Sequence, residues 1–219
     1  ITTTGSFTIN SGAGSILMRG SSNLLDGILL SASTNGSITT TSGSITMNGI
    51  VDPGSTSATS SNTQTGIRTA GNGLITIDSG SGITTLSGEA PRYGIGFGIS
   101  GTNSASDTTT QTLIKSANTT SDAISISGTG GHGISFRGAS TKIHATALLG
   151  GVTFTGTSST WSTAIYSPLE VLAVSGPIRW INSDSTSGIY SANTSITLGS
   201  KSGVTGLTSS SSNITIYLK

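Results

Sequence analysis

Short apolar runs separated by Gly, Ser and Asn recur along the whole chain, and residues 187–217 show this pattern most plainly. Within that stretch, residues 196–198 and 214–216 alternate apolar, Thr, apolar, which is the period-two pattern of a β-strand with one buried face. None of the runs is long enough to form a hydrophobic core alone. The pattern therefore predicts a fold in which one copy of a small unit stacks on the next.

A small residue followed by Ile marks the start of each related block. The step recurs at intervals of 28, 29, 41 and 24 residues, and the longest interval contains a further start at Ile134. A loose period of about 25 to 30 residues with several short strands is the signature of a β-solenoid. We therefore predict an all-β fold, a right-handed parallel β-helix of roughly seven to nine coils. We also expect one inward-facing column made of the block-starting residues Ile67, Ile95, Ile124, Ile165 and Ile189.

The chain is predicted to form one domain, because no linker separates two cores. We predict that residues 1–219 are a single β-solenoid segment of a longer chain. Two stretches, near residues 52–64 and 102–110, lack apolar alternation and are rich in Ser and Thr, so both are predicted to be surface loops. Neither end carries a polar cap, and we expect the strands near residues 4–9 and 213–218 to be continued by neighbouring protein.

Composition narrows the function classes. Ser and Thr supply 80 of the 219 residues and Gly another 32, whereas charged residues are 8% and the formal net charge is +1; an ordinary domain has about a quarter charged residues. Disorder is disfavoured by the regular apolar placement and by the presence of only four prolines. The dispersed basic residues offer no track for nucleic acid, and no apolar run is long enough to insert into a membrane.

The titratable residues do not form a recognisable catalytic or metal-binding pattern. His132 and His144 are twelve residues apart in a chain without cysteine, which disfavours a zinc site. The acidic residues are scattered singly, whereas β-helical polysaccharide lyases and hydrolases need clustered carboxylates. Asp122 with Arg137 or Lys142 is the nearest approach to such a cluster, and a surface ion pair is the simpler interpretation. We predict no enzymatic activity, no catalytic residue, no cofactor and no metal.

The aromatic residues of the last third of the chain are the candidate contact residues. Two interpretations are open: the rings stack on sugar rings or on another protein, or they fill wider coils, as expected for an aromatic residue flanked by isoleucines. The filling interpretation is favoured. The candidates for glycan or protein contact are Trp161, Tyr166, Trp180, Tyr190 and Tyr217.

Short repeats recur as Gly-Ser-Ile-Thr at residues 36–39 and 43–46 and in related form at residues 73–80 and 195–199. These repeats resemble those of the filamentous-haemagglutinin-like large exoproteins of bacteria. The resemblance implies a secreted, β-helical adhesin at the cell surface. The uncapped end coils predict other copies or adjoining coils of the same protein as partners, and host or cell-surface glycans are a further candidate.

Three classes of function therefore compete. The leading expectation is a structural and adhesive segment, a rod that spaces, adheres or assembles into a filament. The first alternative is a carbohydrate-binding or carbohydrate-cleaving β-helix, which needs a groove lined by acids and aromatic rings. The second is the stalk of a contact-dependent toxin, whose activity would lie in another domain.

Overall fold

The computed structural model describes residues 1–52, 54, 64–99, 109–182, 188–191, 195–206 and 214–217, the last range by its backbone only. This described part of the chain is all β, with strands and no helix. None of its residues belongs to a helix long and apolar enough to cross a membrane. The two stretches predicted to be surface loops lie almost entirely outside the described residues.

The strands are short and follow one another closely along the chain, as the apolar runs predict. Gly and polar residues separate them, with positive φ angles at several corner glycines such as Gly80 and Gly138. In chain order the strands are β1 (Thr2–Thr3), β2 (Phe7–Asn10), β3 (Ile16–Ser22), β4 (Asp26–Ala32), β5 (Asn35–Thr39), β6 (Ile45–Val51), β7 (Thr65–Gly71), β8 (Leu74–Asp78), β9 (Thr84–Glu89), β10 (Tyr93–Phe97), β11 (Gln111–Ser116), β12 (Ile124–Phe136), β13 (Ser140–Ala145), β14 (Val152–Ile165), β15 (Leu169–Ala173), β16 (Ile178–Asn182), β17 (Ile189–Ser191), β18 (Ile196–Ser200), β19 (Val204–Thr205) and β20 (Ile214–Tyr217).

All the strand pairs of the described chain are parallel, and they form three ladders. Ladder 1 is an eight-stranded sheet of order β2-β5-β8-β11-β13-β15-β18-β20. A second, strongly curled sheet contains ladder 2 (β3, β6, β9, the first halves of β12 and β14, β16 and β19) and ladder 3 (β1, β4, β7, β10, the second halves of β12 and β14, and β17). The chain visits ladders 1, 2 and 3 in turn, and each strand pairs with its counterpart one round later.

The hydrophobic core lies between the ladders and consists of columns of apolar side chains in register. In ladder 1 the column is Ile38, Ile77, Ile114, Ile143, Val171 and Leu198, and all six side chains are buried. In ladder 2 the column is Met18, Met47, Leu86, Ile126, Phe154 and Trp180. Burying one such large side chain stabilises a fold by roughly 1.5 to 3 kcal/mol, so these columns account for a fold built from very short apolar runs.

The predicted column of five isoleucines is partly wrong. Ile67, Ile95 and Ile189 do belong to one column of ladder 3, but its other members are Ile28, Ile134 and Thr163. Ile124 lies in ladder 2, paired with Thr84 and Val152. Ile165 pairs with Phe136, two positions further along ladder 3. The small-residue step at these two positions is thus a coincidence of sequence, although both side chains are buried.

Two columns of glycine explain why a small residue precedes the isoleucines of ladder 3. The first column lies in ladder 2 and consists of Gly20, Gly49, Gly88, Gly128 and Gly156. It lies against the crossing residues of ladder 3, which are Gly27, Gly66, Gly94, Gly133 and, in place of a glycine, Ser162. A Cβ atom on Gly49 would lie 2.0 Å from the carbonyl oxygen of Gly66, and one on Gly88 would lie 2.0 Å from that of Gly94. The two ladders therefore cross with their backbones in contact, at what we call the glycine crossing.

Candidate functional site

A set of aromatic and arginine side chains lies on the solvent-facing side of ladder 3, outside the hydrophobic core. Tyr93 of this set is buried, and the other members are partly exposed. We call the set the aromatic–arginine strip, and it consists of Arg92, Tyr93, His132, Arg137, Trp161, Tyr166 and Tyr190.

The glycine crossing positions one row of the strip. Tyr93, His132 and Trp161 are in register on β10, β12 and β14, and each immediately precedes the crossing residue of its strand. The backbone contact at the crossing separates these side chains from the core behind it. Sequence reasoning did not select Tyr93 or His132, although both directly precede a Gly-Ile step, and that step is the signal that identifies them.

An irregularity in β14 brings Trp161 into this row. The register of β12 and β14 shifts by one residue, since Gly130 pairs with Ser158 whereas His132 pairs with Trp161. An extra residue in one strand is a β-bulge, which redirects the side chains that follow it. The hydroxyl of Ser158 accepts hydrogen bonds from the backbone N–H groups of Thr160 and Trp161, both at 2.9 Å, and so holds the bulge.

The rings of the strip contact one another across successive rounds. Tyr93 and His132 are stacked, with ring centroids 5.2 Å apart and planes 16° from parallel. Tyr190 contacts both Trp161, at 5.2 Å, and Tyr166, at 5.4 Å, with tilted planes. These distances are typical of favourable aromatic pairs, so the rings form two groups along ladder 3, Tyr93 with His132 and Tyr190 with Trp161 and Tyr166.

Arg137 links these two groups of rings. Its guanidinium carbon lies 4.1 Å from the ring centroid of Tyr166 and 5.9 Å from that of Tyr93. Arg92 lies over the other part of the strip, 5.2 Å from the Tyr93 centroid. Cation–π contacts of this kind favour the charged arginine over the ring face, so the strip combines flat ring faces with two fixed positive charges.

The strip also sets the protonation of its own residues. Burial lowers the pKa of His132, and the charges of Arg137 and Arg92 lower it further, so His132 is neutral at pH 7. Burial raises the pKa of Tyr166, although Arg137 opposes this effect, so its phenol keeps its proton. The Nδ1 atom of His132 is buried without a hydrogen-bond partner.

The five aromatic residues predicted for contact do not all lie together. Trp161, Tyr166 and Tyr190 meet in the strip. Trp180 lies in the core, 4% exposed, and stacks on Phe154 with ring centroids 4.3 Å apart. Tyr217 belongs to ladder 1, where its backbone pairs with Gly199. Only the first three therefore enter the candidate site.

The surface ion pair expected for Asp122 forms, but with Arg179 as the partner and not with Arg137 or Lys142. Asp122 lies 3.7 Å from Arg179, and it accepts a hydrogen bond from Thr153. Lys142 lies 3.7 Å from Glu170, whose carboxylate also contacts His144 at 2.7 Å. Among the described residues, no group of three or more His, Cys, Asp or Glu side chains is placed to hold a metal ion.

A second concave surface lies on the outer face of ladder 1. It is a groove of about 570 Å³, and its apolar walls include Leu172 and Val174, which are 37% and 46% exposed. His144, Thr197 and Lys201 also line it. The groove is of the size that small-molecule sites have, and most of its lining surface is apolar.

Comparison with known proteins gives no guide to the function of this chain. No protein-family model, curated protein or solved structure matches it.

Proposed function

We propose that the chain is a right-handed parallel β-helix that serves as a structural and adhesive segment of a secreted bacterial surface protein. In this proposal the segment is a rod that spaces, adheres or assembles into a filament. The observation that carries the proposal is the order of the three ladders, because the chain visits them in turn and each strand pairs in parallel with its counterpart one round later. The resemblance of its repeats to those of filamentous-haemagglutinin-like exoproteins supports the same function.

Strand spacing gives the proposed rod its dimensions. Ladder 1 has eight strands, and parallel neighbours lie about 4.8 Å apart, so the ladder is on the order of 34 Å long. The apolar columns run along this direction without interruption, from Ile38 to Leu198 in ladder 1. A continuous core of this kind gives each round nearest-neighbour support, which suits a spacer.

The first round offers an edge to which a further round can be added. Within the described residues, β2 pairs only with β5, and β3 pairs only with β6. The inward-facing Phe7 and Ile9 of β2 are half-buried, whereas their counterparts deeper in the stack are fully buried. An open edge with apolar side chains is a template for another strand. The proposed partner is an adjoining coil or another copy of this protein.

The proposed assembly predicts different effects for two lysine substitutions in β2. Ile9→Lys places a charge on the inward face of the first round, which prevents another round from covering it. We expect this variant to remain folded and to lose concentration-dependent association. Sedimentation velocity over a hundredfold range of protein concentration measures the effect.

Thr8→Lys is the matched control, because it adds the same charge to the same strand on the exposed face. We expect Thr8→Lys to associate like the unmodified chain, and electron micrographs should show rods longer than one copy for both. Equal association of the Ile9→Lys variant, or a single monomeric species for the unmodified chain at every concentration, would contradict assembly through this edge.

A further inference from the structure

The exposed rings of the strip are suited to a ligand with flat apolar faces. Trp161, Tyr166 and Tyr190 are partly exposed, and their contacts with one another fix their orientation before any ligand arrives. Aromatic side chains of this kind bury a large apolar area at a small cost in conformational entropy, and Tyr and Trp also offer a hydrogen-bonding group. Sugar rings present the matching combination of apolar C–H faces and hydroxyl edges.

The two arginines of the strip favour a ligand that carries negative charge. The seven side chains of the strip include two guanidinium groups and no carboxylate. A guanidinium has five N–H donors, so Arg92 and Arg137 can keep their present contacts and still donate to a further acceptor. Planar carboxylates accept such donors in pairs. The ring contacts of Arg137 with Tyr93 and Tyr166 hold its guanidinium plane in place.

The strip extends along the direction in which the rounds stack. Its members come from β10, β12, β14 and β17 and from the residues next to β10, β12 and β14, which are four successive strands of ladder 3. With about 4.8 Å between strands, the strip is on the order of 14 Å long. A surface of this length suits an extended chain of several sugar units better than one small molecule.

From these observations we infer that the aromatic–arginine strip binds a polyuronate, a polysaccharide whose sugars carry carboxylates. The sugar faces stack on Trp161, Tyr166 and Tyr190, and the carboxylates accept hydrogen bonds from Arg137 and Arg92. The inference specifies the ligand of the adhesive role and rests on the proposed function. It involves binding without cleavage.

Titration of the full chain with three polymers tests this inference. The probes are polygalacturonate, uncharged dextran and dextran sulfate, with affinity measured by isothermal titration calorimetry. We expect polygalacturonate to bind at least tenfold more tightly than dextran, a difference typical of one or two charge-assisted contacts, and more tightly than dextran sulfate. Its affinity should fall with added salt. Equal affinity for dextran, or preference for dextran sulfate, would overturn the assignment of the carboxylate ligand.

Two arginine substitutions locate the site. Arg137→Gln should lower the affinity for polygalacturonate by tenfold or more, whereas Arg19→Gln should leave it within twofold. Arg19 is the matched control because it is an exposed arginine of ladder 2 and its loss changes the net charge equally. Equal affinities of these two variants would overturn the inference.

Three further variants separate binding from folding. Arg137→Lys keeps the charge and removes the planar fork, and it should still lose several-fold in affinity. Trp161→Ala should weaken binding and Trp161→Phe should preserve most of it, with unchanged circular dichroism in both cases. If the Ile9→Lys experiment shows assembly but polygalacturonate does not bind, the rod function stands and this inference falls.

Discussion

At the scale of single residues, a buried ion pair lies on the solvent-facing side of ladder 3. The guanidinium of Arg68 donates to the carboxylate of Asp26 at 2.6 Å, and the two side chains are 9% and 5% exposed. Arg68 also donates to the carbonyl oxygen of Ile99 at 3.5 Å. Burial raises the pKa of Asp26 to about 6, although Arg68 and Thr65 act in the opposite direction. Desolvation therefore outweighs the attraction of the pair.

This pair predicts a fall in stability with rising pH. The folded state holds the proton of Asp26 up to about pH 6, whereas an unfolded chain releases it near pH 3.8. Between these values the folded state binds more protons, so the free energy of unfolding decreases as pH rises. Asp26→Asn cannot ionise, and we expect it to match the unmodified chain near pH 4 and to exceed it in stability at pH 8. Urea unfolding followed by circular dichroism at each pH measures this difference.

Asp78→Asn supplies the comparison for this experiment. Asp78 is a more exposed carboxylate, 3.1 Å from Lys115, and its replacement should keep the same fall in stability between pH 4 and pH 6. An Asp26→Asn variant that shows the unmodified pH dependence would exclude Asp26 as its source.

The two tryptophans show how far single residues can be predicted from sequence. Trp180 is two positions after Ile178 in a strand pattern, so the two side chains share one face. The structure places both in the core. Trp161 follows a polar run without apolar alternation, and its place depends on the bulge of β14. The strip joins residues from 92 to 190, and their proximity follows from the register of the ladders, which the sequence alone does not provide.

At the scale of elements, the glycine crossing decides how ladders 2 and 3 meet. A Cβ atom on Gly88 would lie 2.0 Å from the carbonyl oxygen of Gly94 and 2.8 Å from its carbonyl carbon. These neighbours are backbone atoms, so the clash cannot be relieved by rotating a side chain. In the last round the crossing changes: the hydroxyl of Ser162 donates to Asn182 at 2.6 Å and to the carbonyl oxygen of Gly188 at 3.1 Å.

The crossing predicts that Gly88→Ala is strongly destabilising. Forcing the two backbones apart should cost at least about 2 kcal/mol, which lowers the thermal midpoint by at least roughly 4 to 8 °C in a chain of this size. Thermal unfolding followed by circular dichroism measures the midpoint. Gly14→Ala is the control, because a Cβ atom there would lie no closer than 3.4 Å to any neighbour. Similar midpoints for the two variants would show that the crossing tolerates a side chain.

The parallel strands could be predicted from the sequence, but the position of the glycine crossing could not. Short alternating runs and their loose period predict parallel stacked strands, and the described chain is all β with parallel ladders. The sequence does not show which ladder each small-residue–Ile step belongs to. Ala123-Ile124 at the start of a ladder 2 strand and Gly133-Ile134 in ladder 3 have the same local pattern. Only the contact between Gly128 and Gly133 shows which pair belongs to the crossing.

At the scale of the whole molecule, the links between ladders 2 and 3 differ greatly in length, although the rounds they join are equivalent. Residues 23–25 join β3 to β4, and residues 90–92 join β9 to β10, whereas residues 52–64 separate β6 from β7. The ends of this longest link are nevertheless close, since Gly49 and Gly66 meet at the crossing. Asp26 and Thr65 are also in register at the starts of β4 and β7. A three-residue link is therefore long enough for this round.

This equivalence predicts that residues 52–64 can be replaced by the tripeptide Asn-Leu-Leu of residues 23–25 without loss of the fold. Shortening a connection from 13 to 3 residues lowers the entropy cost of closing it by about 1 kcal/mol, so the thermal midpoint should stay equal or rise slightly. The far-ultraviolet circular dichroism should keep its β signal, and the amides of Ile45–Val51 and Thr65–Gly71 should stay as protected from hydrogen exchange as before.

Replacing Ile83, Thr84 and Thr85 by Ser-Gly-Ser serves as the opposite control, because Thr84 pairs in register with Ile45 and its loss should disrupt ladder 2. Loss of the β signal in the shortened link would show that residues 52–64 contribute a strand to the stack.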